Sequence, residues 1–171
     1  MAENFKEQFA QGYKARKEGR AADARAIFFK AVRSAAEEGD RPSLAEALCG
    51  LGQSERDIGN LEASGHHYAN AVILYRQIGP PERLAYALRH EAEVRREECQ
   101  PAAAEPLYLE AETIYRQLGD DAELDLANTL RGLALLKPDA SKARWLEARA
   151  LYAQQNIDAG VAECDKQLST A

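Results

Sequence analysis

Residues 44–79 and 84–119 are the same unit written twice, aligning at an offset of 40 residues without insertion or deletion. Leu44/Leu84, Ala45/Ala85, Ala47/Ala87, Leu48/Leu88, Arg56/Arg96, Ala63/Ala103, Tyr68/Tyr108, Ala71/Ala111, Tyr75/Tyr115, Arg76/Arg116, Gln77/Gln117 and Gly79/Gly119 coincide. Self-similarity at this period means stacked supersecondary units, each burying its apolar face only against the next. The shared residues are Ala, Leu, Tyr and Arg rather than Val and Ile. They favour helix over strand.

The unit extends in both directions. Gly12, Gly19, Phe28, Ala31 and Gly39 lie 40 residues before Gly52, Gly59, Tyr68, Ala71 and Gly79. Phe5, Phe9 and Tyr13 form a helical stripe in this first copy, and Ala24, Ile27, Phe28, Ala31 and Ala35 form another. In the last copy, Gly132 aligns by counting forward, and Trp145, Ala148 and Tyr152 align by counting back. The counts differ by three residues, which places a three-residue deletion at Lys137-Pro138-Asp139. Turns are therefore expected near Gly19, Gly39, Gly59, Gly79, Cys99, Gly119, Lys137 and Asn156.

Local signals fit these boundaries. Asp40 can cap a helix whose first turn holds Pro42. Pro80-Pro81 stops one helix and starts the next, and Pro101 sits at a first helical position. Asp120-Asp121 brings acidic charge to the start of the fourth copy. Asp158 can cap a short terminal helix with Val161, Cys164 and Leu168 on one side. Pro106 deletes one helical hydrogen bond, so a bend or a late helix start is expected there.

This pattern resembles the tetratricopeptide repeat (TPR) family. The small position of the first helix is Gly12, Gly52, Ala92 and Gly132. The second helix carries Ala24-Phe28-Ala31, Ser64-Tyr68-Ala71, Ala104-Tyr108-Ala111 and Ser141-Trp145-Ala148. The period of 40 rather than 34 is similar to the extended repeats of kinesin light chains and several bacterial regulators. The family's aromatic near the end of the first helix is replaced by Ala15, Glu55, Arg95 and Leu135. The fold implied is all-α: a right-handed α-α superhelix of four TPR pairs and a C-terminal capping helix. It forms a single domain over 1–171, with repeats at about 3–38, 40–78, 81–118 and 121–154 and a cap at about 158–169.

The resemblance further implies a non-catalytic scaffold that binds a peptide or protein segment on its concave face. On the family's register, that face includes Tyr13, Arg16, Gln53, Arg56, Tyr86, Arg89, His90, Glu93, Arg96 and Leu133, with Phe9 as a further apolar anchor. Arg suits bidentate capture of carboxylates, so an acidic partner segment is expected. The competing reading pairs these arginines internally: Arg89 with Glu93 at i, i+4, and Arg56 and Arg96 with Asp57 and Glu97. Self-association as a homodimer is the alternative function.

Other functions find little support. The net charge of -6 disfavours nucleic acid, which needs clustered cations. No stretch is long and apolar enough for a membrane span or a signal peptide. Three cysteines, Cys49, Cys99 and Cys164, without a CxxC pair fit a reducing, cytoplasmic setting. His66-His67 point in different directions on a helix and lack metal-ligand spacing. No phosphate loop, nucleophile elbow or catalytic constellation is present, so no cofactor, metal or enzymatic activity is expected.

Overall fold

The computed structural model describes residues 2–137 and 141–169, with side chains from Phe5 onward. It is all-helical. The helices are α1 (Ala2–Lys17), α2 (Ala21–Glu38), α3 (Arg41–Asp57), α4 (Leu61–Ile78), α5 (Pro81–Glu97), α6 (Pro101–Leu118), α7 (Glu123–Leu136), α8 (Lys142–Gln154) and α9 (Asp158–Ser169). Each packs on its neighbours in the chain. In addition, α1 packs directly on α3, and α5 on α7. The odd-numbered helices are thus drawn together along one side of the array.

The turns fall where the glycines predict. Gly19, Gly39, Gly59, Gly79 and Gly119 all have positive φ, as do Cys99 and Asn156, which hold equivalent turn positions without being glycine. The Asp40 side chain accepts from the Ser43 amide, capping α3, and Asn60 does the same for α4 through the Ala63 amide.

Three local expectations change. Helix α6 begins at Pro101 and runs to Leu118 with Pro106 inside it, so the late start is not observed. Pro106 lies on the exposed face, where water can satisfy the freed carbonyl. The fourth copy does not begin as a helix at Asp120. Gly119–Ala122 forms a 3-10 turn, and α7 starts at Glu123. No proline presets a helical φ there as Pro81 does for α5. Asp158 is the first residue of α9 and not its cap, since Ile157 carries the first accepting carbonyl. Its charge still favours the helix N-terminus.

Residues 138–140, where the deletion is expected, lie outside the described residues. Its register is nevertheless visible on either side. Arg76 on α4 reaches Glu110 on α6, 34 residues on, and the equivalent Arg116 on α6 reaches Glu147 on α8, 31 residues on. The same rung has lost three residues.

The tyrosine stripe is core: Tyr68, Tyr75, Tyr108, Tyr115 and Tyr152 are all at most 4% exposed. Close packing around the aromatics depends on absent side chains. A Cβ on Gly12 or Gly50 would lie 2.6 or 2.4 Å from the Phe28 ring, and one on Gly132 would lie 2.5 Å from Tyr108. On the capping helix, Gly160 does the same for Tyr152, where a Cβ would come within 2.6 Å of the ring. Where the family has an aromatic, Glu55 is 3% exposed. Arg25 on α2 (2.6 Å) and the Asn60 amide (3.0 Å) hold its carboxylate. Charge pairing thus replaces ring packing between α2, α3 and α4.

Candidate functional site: the face of the odd-numbered helices

Helices α1, α3 and α5 carry Arg16, Arg56 and Arg96 at the same repeat position near their C-terminal ends. The packing of one odd helix beside the next turns this 40-residue spacing into a ladder. Arg16 binds Asp57 (2.6 Å) and Gln53 (2.5 Å) on α3, 41 and 37 residues on. Arg56 binds Glu97 (Nε to Oε2, 3.0 Å) and Glu93 (2.7 Å) on α5, again 41 and 37 residues on. Asp57 and Glu97 are therefore partners of the arginine one repeat earlier, a displacement by one rung from the pairing the sequence suggests.

Between the rungs sits a more enclosed cluster. Arg89, with 8% of its side chain exposed, donates to Glu93 (3.1 Å), to Asp125 on α7 (3.1 Å) and to His90 Nε2 (3.1 Å). Its guanidinium also lies 5.7 Å from the Tyr86 ring centre. His90 stacks on Tyr68 at 5.4 Å and meets Tyr86 edge-on at 4.3 Å. Because Nε2 accepts from Arg89, the neutral ring carries its proton on Nδ1, 3.2 Å from a Glu93 oxygen. Gln53 donates to the Tyr86 hydroxyl, tying α3 to α5.

This arrangement corrects the expectation of a row of available arginines. Arg89 is enclosed and already held by Glu93 and Asp125, and Arg56 by the same Glu93 and by Glu97. Leu133 is 2% exposed and packs with Ala92, Ala104 and Tyr108, so it is core rather than an anchor for a partner. Tyr13 is half-buried, edge-on to Phe28 at 5.3 Å. Of the ten residues the sequence singles out, Arg96 stands apart: its nearest carboxylate, Glu97, is 3.7 Å away. The sequence reading missed Asp125, and it did not connect Lys137 to the ladder. Both become legible only once α7 is known to lie beside α5.

Burial pushes the His90 imidazole down, Arg89 adds to the effect, and Glu93 opposes it. The result is a value of about 4. Burial would raise the Glu93 carboxyl, but His90, Arg89 and Arg56 outweigh it and hold it far below the usual carboxylate range. Both shifts have the same consequence. Between pH 6.5 and about 4 the unfolded chain takes up a proton that folded His90 refuses, so stability falls as pH falls. Glu93 adds a loss of the same sign below its ordinary value of 4.5. Melting temperature should therefore drop steadily from pH 7 to pH 5. His90→Phe, which keeps the stack on Tyr68, should flatten that slope. An unchanged slope in this variant would assign it to other groups, such as the half-exposed His67, whose imidazole burial also pushes down.

Two clefts open on this side. One of about 480 Å³ is lined by Glu82, Arg83, Tyr86, Tyr115, Asp121 and Asp125, among others, between the start of α5, the end of α6 and the turn into α7. Another of about 400 Å³ is lined by Phe5, Lys6, Phe9, Asp40, Ser43 and Glu46, among others, between α1 and α3. Among the described residues no group of three or more His, Cys, Asp and Glu side chains is placed to hold a metal ion. No helix among them is long and apolar enough to cross a membrane.

Paired helices stacked at a fixed period, with a small residue opposite each aromatic, define a TPR-like repeat solenoid. Solved structures share the fold. A kinesin light chain candidate of Podosopora anserina with nearly identical TPR-like repeats superposes with a TM-score of 0.66 at 12% identity, over 98% of this chain and 94% of that one. BtubC (BKLC) of P. vanneervenii superposes with a TM-score of 0.61 at 16% identity, over 93% of this chain and 77% of that one. No protein-family model and no curated protein matches the sequence.

Proposed function

We propose that this protein is a non-catalytic scaffold that receives a segment of a partner protein along the concave side formed by α1, α3, α5 and α7. The observation that carries this reading is the placement of the two clefts. One opens between α1 and α3 and the other between α5 and the α6–α7 connection, and aromatic side chains, Phe9 in the first and Tyr86 in the second, contribute to their walls. That TPR-like folds in general serve protein partners supports this reading.

The test is to recover partners from the source cell with the full chain and map the contact by amide hydrogen exchange. Binding on the concave side protects α1, α3, α5 and α7. Protection confined to the even-numbered helices would overturn the assignment of the face. If sedimentation instead shows a dimer protected on these same helices, the site serves self-association.

A further inference from the structure

The arginine ladder has a third rung, and it is incomplete. Arg16 and Arg56 each find their partners 37 and 41 residues further on. For Arg96 those positions are 133 and 137, which hold Leu133 and Lys137. Leu133 is core, and Lys137 is a cation whose ammonium pairs with Glu105 at 2.5 Å. The nearest carboxylate to Arg96 is Glu97 at 3.7 Å, which Arg56 already holds. Arg96 Nε and the neighbouring Tyr108 hydroxyl are both covered and lack hydrogen-bond partners. Yet 27% of the Arg96 side chain remains exposed. A guanidinium that two equivalent neighbours place against carboxylates here finds a leucine and a lysine at the corresponding positions of the next repeat.

We infer that the third rung is completed from outside: Arg96 receives an Asp or Glu carboxylate of the bound partner segment. This deepens the scaffold reading and rests on it. Charge along the face supports one orientation. The cleft at the N-terminal end of α5 presents Glu82, Asp121 and the Arg89-held Asp125 against a single cation, Arg83, a balance that disfavours an acidic group. Arg96 and Lys137 stand at the other end, 14 residues along α5 from Glu82, or about 21 Å at helical rise. An acidic side chain therefore docks at the C-terminal edge of α5, where it meets the planar donor fork of an arginine whose approach to a carboxylate of its own chain is the long 3.7 Å one to Glu97.

The experiment selects random 12-residue displayed peptides on the full chain, then measures the selected peptides on wild type, Arg96→Gln and Arg96→Glu. Selected peptides should be rich in Asp or Glu. Affinity for the best of them should fall about tenfold or more in Arg96→Glu and less in Arg96→Gln, as expected for loss of a close charge pair. Exchanging the peptide's key acid for Lys should restore binding to Arg96→Glu. Arg96→Gln keeps a polar head beside Tyr108 and adds no charge next to Glu97, so its melting should stay near wild type; binding to Arg96→Glu is read at a temperature where its own melting curve shows it folded. Selected peptides that bind all three proteins equally would overturn the Arg96 assignment and leave the scaffold reading standing. If no peptide is enriched over a blank support, both fall.

Discussion

Glu93→Ala is expected to destabilise the protein by about 3 kcal/mol, at the low end of the range for breaking a buried ion pair. Glu93 is the carboxylate on which Arg56 (2.7 Å), Arg89 (3.1 Å) and His90 (3.2 Å) converge, and only 13% of its side chain is exposed. Its removal leaves the enclosed Arg89 with Asp125 as its remaining carboxylate, and Arg56 with Glu97. Those residual contacts keep the cost from being larger. Glu93→Gln retains an acceptor without the charge and should fall between Glu93→Ala and wild type. Denaturant unfolding gives the comparison. A loss below about 1 kcal/mol for Glu93→Ala, the level of an exposed pair, would show that the cluster is solvated rather than enclosed. The same geometry makes Arg56→Glu a poor probe of binding. It would set a new carboxylate against Glu93 and Glu97 and weaken the fold, whereas Arg96→Gln removes no hydrogen bond of the ladder and adds no charge beside Glu97.

Phe28→Ala should cost about 3–5 kcal/mol, the usual range for emptying an aromatic site in a core. Phe28 is 0% exposed, clamped between Gly12 and Gly50, and met edge-on by Phe9 at 5.4 Å and Tyr13 at 5.3 Å. It belongs to a small cluster with Ala15, Ala24 and Leu51, separate from the main core. In a stacked array, stability is close to a sum of repeat and interface terms. The loss should therefore concentrate in α1 and α2. Hydrogen exchange should quicken there first, while α5 to α8 keep their protection. A uniform loss across all helices would show that the array unfolds as one unit.

The repeat itself was legible because stacking demands identical side chains at identical places. Tyr68 and Tyr108 announce one interface twice, and Gly19, Gly39 and Gly59 announce turns that only a positive φ permits without strain. Even the three-residue deletion could be counted from Gly132 and Trp145 before Arg116 and Glu147 displayed it. Side-chain occupancy on the odd-numbered face was not legible in the same way. Helical spacing within α5 shows that Arg89 can reach Glu93, since i and i+4 are neighbours on any helix. It cannot show that Asp57 belongs to Arg16 and Glu97 to Arg56. Those pairs join separate helices, and the lateral offset between helices depends on how the rings and glycines nest.

Leu133 illustrates the same limit, since a residue near the rim of a helix is groove or core according to where its neighbour lies. The sequence by itself determined the helices, their number of repeats and their register, because each follows from local periodicity and turn chemistry. Only the tertiary structure decided which arginines are consumed and which one, Arg96, is left over. An ion pair between helices depends on distances of 3 to 4 Å, and those are set by packing summed over the whole array.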